Sequence, residues 1–454
     1  MAFKTEMYYI GLLPFAILLV LLGVNNFKSL YYLLLFTIPF SIEYSFTPSL
    51  ATDLPDEPLM IGLMFVSFVY LFQNPKSLPR AYLTHPLFLL LLLHLFWTLI
   101  TSFTSVTPLV SFKIFFSKVW YVTTFVVLSA VVLKTQEDVK RAFWCIYVPL
   151  TILIIQVIIR HALVGFSFDD INKPMPPFFR NHVNYAAIVA LFIPFIWMAR
   201  GWYKPSFTKK LLTASIVLYV VAIYLSYTRT CYLALLLIPP FVWILKNRLI
   251  KPALLAAFVL LMGMVSFLMY ENKFMDFAPE FEQTTMHDEF GDHLSSTFEG
   301  KDVSSMERVY RWIAIAQMWK DKPIFGFGAG NFYPNYMSYT ILSFETYVSD
   351  NEERSTAHNY FLLLLAEQGV PGVLFFILLT AAIFIWCEKT YHRTIDFLDK
   401  RLVMTVAVVL MISYVNLMLS DLLESDKLGS FFFISFSLLI ALDIRSRSLK
   451  AQTQ

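Results

Sequence analysis

Four stretches place polar, reactive side chains at the borders of long apolar runs. They are Arg180, Asn181, His182 and Asn184 in "FFRNHVNYAA", Arg229 in "LSYTRTCYLALLL", Arg308 and Arg311 in "ERVYRWIAIAQMW", and His358 in "STAHNYFLLLLAEQGVPG". Guanidinium forks bind phosphate oxygens bidentately and stabilise the charge that grows on a departing group. A histidine that is neutral near pH 7 can take the proton from an attacking sugar hydroxyl. Together these side chains suit group transfer from a pyrophosphate donor. Sugar transferases that use nucleotide donors often hold a divalent ion on a D-x-D triplet, and no such triplet occurs in the chain. A lipid-borne pyrophosphate outside the cell, where nucleotides are absent, suits the arginines better.

Each residue also has an ordinary reading. Arg229 could snorkel to lipid headgroups, although an arginine in so short a break as "SYTRT" is costly unless paired. Arg308 alone reads as a solvated residue of a loop helix. His358 could merely cap its helix, yet Ser355 and Thr356 are better caps; the positive end of the helix dipole would disfavour the imidazolium. Glu367 lies about 13 Å down the axis from His358 at the helical rise per residue, too deep to be its direct partner. It is expected to brace the bundle, bonding backbone freed by Pro371. The aromatic residues Trp312, Tyr333, Tyr336 and Phe344 could stack on sugars, with packing of their own loop as the plainer alternative.

The elements that must carry these residues follow from composition. Of 454 residues 58% are hydrophobic and only 15% charged, with mean hydropathy +0.64. Runs such as "PLFLLLLLHLFWTLITSF" are long enough to cross a hydrocarbon layer of about 30 Å as helices, where β-barrel strands would alternate instead. The fold class is therefore an all-α polytopic membrane protein of twelve or thirteen helices, the count depending on two stretches near 7–24 and 28–46. Met1 to Gly23 lacks a basic leader region and a small-residue cleavage site, and reads as a first membrane segment. The three cysteines, Cys145, Cys231 and Cys387, are scattered; neither a disulfide framework nor a zinc site is expected.

Lys and Arg concentrate in alternate breaks, among them Lys134/Lys140/Arg141, Arg200/Lys204/Lys209/Lys210, Lys246/Arg248/Lys251, Lys389/Arg393/Lys400/Arg401 and the tail Arg445/Arg447/Lys450. The positive-inside rule puts these in the cytoplasm, with the C-terminus, and the acidic or neutral breaks outside. By this topology all four reactive stretches lie at one depth on the outer face. The chain divides into 1–180, N-terminal helices; 181–270, helices carrying Arg229; 271–357, a large outer loop; and 358–454, C-terminal helices with a short cytoplasmic tail. That loop is far longer than a helix connection requires and holds fifteen Asp/Glu against seven Lys/Arg. Within it Ser304 and Ser305 are candidate caps of a helix with Val309, Trp312, Ile313, Ala316 and Trp319 on one stripe. Gly326, Gly328 and Gly330 follow at alternate positions. No strand precedes them, so a dinucleotide fingerprint is a poor reading; a tight turn is favoured over a phosphate-cradling nest.

At these residues the sequence resembles the superfamily of O-antigen ligases and O-antigen polymerases, bacterial envelope transferases of lipid-linked glycans. "SYTRTCYLAL" is similar to the family's Ser-x-x-Arg helix start, and "ERVYRWIAIAQMWKDKPIFGFGAGNF" to its Arg-x-x-x-Trp helix followed by Pro and a Gly-x-Gly turn. "HNYFLLLLAEQGVPG" is similar to its His-Asn and Glu-x-Gly-x-x-Gly signature. The likeness covers roughly residues 180–385; before 170 it is one of hydropathy only. Thr228-Arg229-Thr230 stands where the family often has Ser-Arg-Gly. The resemblance implies a glycosyltransferase without metal, nucleotide or other cofactor and with no nucleic-acid partner. It would take glycan from undecaprenyl pyrophosphate on the periplasmic side of the inner membrane and pass it to lipid A core or another glycan acceptor. By that carry-over Arg229 and Arg308 would hold the pyrophosphate and His358 would be the base. Arg311, Arg180, Asn181, Asn359 and Glu367 are supporting candidates. The reading is a ligase, with a polymerase close behind and a transferase onto a protein hydroxyl third; no residue here identifies the acceptor that separates them. A transporter or lipid flippase is the rival of another class, but would place charges near the midplane and show paired half-repeats.

Overall fold

A computed structural model describes residues 13–47, 50–277, 303–344, 349, 351 and 355–453. Eleven helices among the described residues are long and apolar enough to cross a membrane, as their unbroken apolar runs require. They include α2 (Asp56–Gln73), α3 (Pro86–Phe103), α4 (Pro108–Tyr121, continuing to Val132), α5 (Gln136–Leu163), α6 (His182–Ala199) and α7 (Phe207–Tyr224). The shorter α8 (Arg229–Leu236) and α9 (Ile238–Lys246) together make one crossing, and α10 (Ile250–Met269) follows. Beyond α11 (Val303–Asp321) of the large loop come α12 (Tyr360–Arg393), α13 (Phe397–Leu419) and α14 (Asp426–Thr453). The chain is a multi-pass all-α membrane protein.

The first two apolar stretches do not form two simple spans. Described from Leu13, helix α1 runs to Thr37 with a non-helical break at Asn26. The stretch expected at 28–46 then leaves the helix at Ile38–Phe40 and enters a two-stranded antiparallel hairpin, β1 (Ile42–Thr47) with β2 (Leu50–Leu54). Pro39 removes a helical donor there, and the alternation of "IEYSFT" suits a strand.

Helices α6, α13 and α14 are the most enclosed, whereas α10 is bare. The first two are apolar all round, as befits helices surrounded by other helices. Their small and aromatic residues interlock, as where Phe192 stacks on Phe143 at 5.4 Å. Some polar groups left in this interior find partners: Tyr82 Oη meets Ser437 Oγ at 2.9 Å, and Tyr31 Oη meets Ser129 Oγ at 2.6 Å. This rigid centre supports what lies at the end of the bundle where α6, α8 and α12 begin and α13 stops.

Candidate active site

Helix α12 explains the unusual composition of its sequence. It is broken at Gly369, whose φ of 66° and ψ of −168° no side-chain-bearing residue adopts readily. Pro371 has no N–H to give the carbonyl one turn back. The carbonyls thus freed are taken up from outside the helix: Phe327 N donates to Ala366 O at 2.9 Å, Gly328 N to Glu367 O at 2.8 Å, and Trp97 Nε1 to Gln368 O at 2.9 Å. Val370 N in turn donates to Pro323 O at 2.9 Å. A Cβ on Gly369 would stand 2.2 Å from Ile324 O, and one on Gly326 would stand 2.4 Å from the Glu367 carbonyl carbon. The glycines exist so that two backbones can touch.

Glu367 braces the structure, but not as expected. Its Oε1 accepts from Phe332 N at 3.2 Å, pinning the glycine turn, while the backbone affected by Pro371 is satisfied by that turn's amides. The amides of Gly326, Phe327, Gly328, Asn331 and Phe332 are all engaged within the protein. The turn therefore does not cradle phosphate through them; the tight-turn reading is the right one.

Helix α11 packs on α12 and sets the segment before it. Its buried stripe is Met306, Tyr310, Ala314, Ile315 and Met318, with Ala316 exposed and Trp319 largely so, not the stripe expected from hydropathy. The rotation turns Glu307 and Arg311 inward, where Arg311 Nη2 meets Glu307 Oε2 at 3.3 Å. Ser304 and Ser305 lie within the helix as described from Val303. From this helix Arg311 Nη1 donates to Thr356 O at 3.1 Å and Trp312 Nε1 donates to Ala357 O at 2.9 Å. Two consecutive carbonyls are held, and His358 is the next residue.

His358 is half-buried, with φ at 50° in the left-handed region that histidine seldom occupies. Burial first, then the charges of Arg308 and Arg311, push its imidazole down to about 4 from an ordinary 6.5. That shift favours the neutral imidazole at physiological pH. The helix starts two residues on, capped by Asn359, whose side chain accepts from Leu362 N at 3.0 Å. Ser355 and Thr356 do not cap. Instead Thr356 Oγ1 donates to Asp421 Oδ2, because the segment is held out of helical conformation by α11. Asn359 Nδ2 also donates to Met418 O at 3.0 Å, tying the start of α12 to the end of α13.

Among the arginines, Arg308 and Arg311 act directly on His358. Arg180 is exposed and lies within electrostatic reach of Asp421, whose carboxyl burial raises above its ordinary value. Asn181 caps α6, accepting from Asn184 N at 3.0 Å. Arg229 opens α8, which packs on α13, and one half-turn in Cys231 Sγ reaches Asn416 Oδ1 at 4.0 Å. Arg229 thus enters the bundle at the end where Asn359 docks. The aromatics Tyr336 and Phe344 are fully buried in the loop's own packing.

The family comparison covers these elements. A family model described as O-antigen ligase matches residues 214–377, taking in Arg229, Arg308, Arg311, His358 and the whole Glu367 to Gly372 signature. That segment is similar to the O-antigen ligase family. No curated protein matches the chain. The match supports a membrane glycosyltransferase of ligase or polymerase type, a family whose substrates in general are a lipid-linked glycan and a glycan acceptor. Arg180, Asn181 and Asp421 lie outside it.

Sequence reasoning missed a cluster beside the ligase-family histidine. Lys118 Nζ of α4 donates to Tyr360 Oη at 2.9 Å and to Glu424 Oε1 at 2.5 Å, and Tyr360 Oη donates to the same carboxylate at 3.2 Å. A cavity of about 40 Å³ adjoins them. A signal was available, since a lysine inside the apolar run "SFKIFFSKVWY" must have a partner. The pairing of Thr356 with Asp421 was equally unforeseen.

Proposed function

We propose that the protein transfers a glycan from undecaprenyl pyrophosphate to a sugar hydroxyl on the periplasmic face of the inner membrane, as an inverting O-antigen ligase. The observation that carries this is the neutral imidazole of His358 set beside Arg308 and Arg311. In this reading the acceptor hydroxyl gives its proton to His358 as its oxygen attacks the anomeric carbon. The anomeric bond to the pyrophosphate breaks on the opposite side, inverting the centre. Arg308 and Arg229 hold the pyrophosphate and offset the charge it gains as it leaves. Arg311, committed to Glu307 and to the Thr356 carbonyl, positions the histidine, as do Trp312 and Asn359.

The sidedness rests on the alternation of basic breaks. Three of the eleven candidate spans follow α11, an odd number, which supports a C-terminal tail on the side opposite it. A cytoplasmic tail leaves the site in the periplasm. The direct test is incubation of purified protein with undecaprenyl-pyrophosphate glycan and competing acceptors, without added metal. A single capped acceptor supports a ligase; a ladder of chain lengths would reassign the protein as a polymerase; and glycan that stays on its lipid with every acceptor would refute the transfer.

A further inference from the structure

A second cavity lies far from His358, at the opposite end of the bundle. It measures about 420 Å³ and lies between the ends of α6, α9 and α12 and the start of α13, within the range of about 300–1,000 Å³ typical of ligand sites. Its walls are Ile193, Pro194, Ile238, Val242, Met404 and Val408. Its rim carries Lys246, Lys400 and Arg401.

These cations differ from the paired arginines at this end of the molecule. Arg445 pairs with Asp399 at 2.9 Å, and Arg393 and Arg447 pair with Asp443 at 2.7 and 2.6 Å. Among the described residues Lys246, Lys400, Arg401 and the neighbouring Arg200 have no carboxylate at ion-pair distance. Arg401 is nonetheless fixed in place. Its guanidinium lies over the Trp197 ring at 4.4 Å, and its Nη2 donates to Trp197 O at 2.7 Å. Gly201 lets it lie there, since a Cβ would stand 2.8 Å from the guanidinium carbon. The Nε atoms of Arg401 and Arg200 are buried and lack an acceptor among the described residues. Arg200 is close enough that its charge weighs on Arg401. Two like charges held together beside an apolar cavity call for an anion with a hydrocarbon part.

We propose that this crevice binds an anionic phospholipid, its phosphate between Arg401, Arg200 and Lys400 and an acyl chain in the cavity. Basic pockets between membrane helices on a basic face take such headgroups. A free anion would use the rim and leave the cavity idle.

The experiment is native mass spectrometry of the full-length protein released from detergent after titration with phosphatidylglycerol, phosphatidylcholine or inorganic phosphate. The expected result is preferential retention of phosphatidylglycerol, reduced at least fivefold in Arg401→Gln. Val408→Trp, which fills the cavity and leaves every charge, should reduce it comparably. Lys400→Gln, at a partly exposed position, serves as a second charge variant should Arg401→Gln fail to fold. Equal retention of the two lipids, or indifference to the charge variants, overturns the proposal. Competition by inorganic phosphate with no effect of Val408→Trp would also overturn it, in favour of a soluble anion.

Discussion

The indole N–H of Trp312 donates to the carbonyl of Ala357 at 2.9 Å, one residue before His358. With Arg311 on the Thr356 carbonyl at 3.1 Å, the large loop grips the backbone that presents the histidine. Loop and membrane helix are thereby one device, which bears on every expectation below.

Replacing Trp312 by Phe keeps the ring and removes the donor. The lost hydrogen bond is worth about 1 kcal/mol, too little to unfold the protein but enough to loosen His358. We expect kcat for glycan transfer to fall several-fold with the donor KM little changed. A changed KM with constant kcat would instead make Trp312 a sugar platform.

His358→Gln should abolish most transfer while preserving the fold. A positioned general base contributes roughly 10²–10⁴-fold, and loss of that order is expected in single-turnover assays of purified protein. Activity within a few-fold of the parent would remove His358 from the mechanism.

The pH dependence tests the setting of the same residue. Its folded pKa, about 4, is below the ordinary 6.5, so between these values the folded state binds fewer protons than the unfolded. Its contribution to stability is full above pH 6.5 and is lost as pH falls through about 4. The acid limb of kcat/KM should lie near pH 4 for the free enzyme. Arg308→Ala removes a like charge and should move that limb upward, toward 6.5; a limb that stays or moves down would contradict the placement of Arg308.

Gly369→Ala should destabilise the protein more than any of these. The backbone region alone costs on the order of 1–3 kcal/mol for a residue with a side chain, and the new Cβ would meet Ile324 O at 2.2 Å. A clear drop in melting temperature in detergent is expected. A melting temperature equal to the parent's would mean that the break in α12 can be abandoned freely.

Asn359→Ala removes the cap of α12 and its tie to Met418. Loss of an N-cap costs about 1 kcal/mol. Hydrogen exchange of the first turn, from Tyr360 to Leu363, should quicken before global unfolding does, and unchanged protection there would show that another group caps the helix.

Much was legible because the strongest signals are local or periodic. Apolar run length determines that α2 to α10 and α12 to α14 supply helical segments long enough to cross a membrane, and the alternation of Arg and Lys breaks gives an expected order for their ends. The order of Arg229, Arg308, His358 and Gly369 sufficed for the family likeness that the matched segment bears out. What the chain order does not contain is which atoms meet. Hydropathy chose the wrong stripe of α11 because a buried ion pair, Glu307 with Arg311, is satisfied only once both ends are enclosed. Serine and threonine looked like the caps of α12, yet Asp421, 65 positions from Thr356, claims that hydroxyl. Glycine and proline foretold that α12 would break, and only the arrival of Phe327 and Gly328 at its bared carbonyls decided what the break is for. Hydrogen bonds between distant segments depend on three-dimensional approach, and their partners are set by packing, not by spacing.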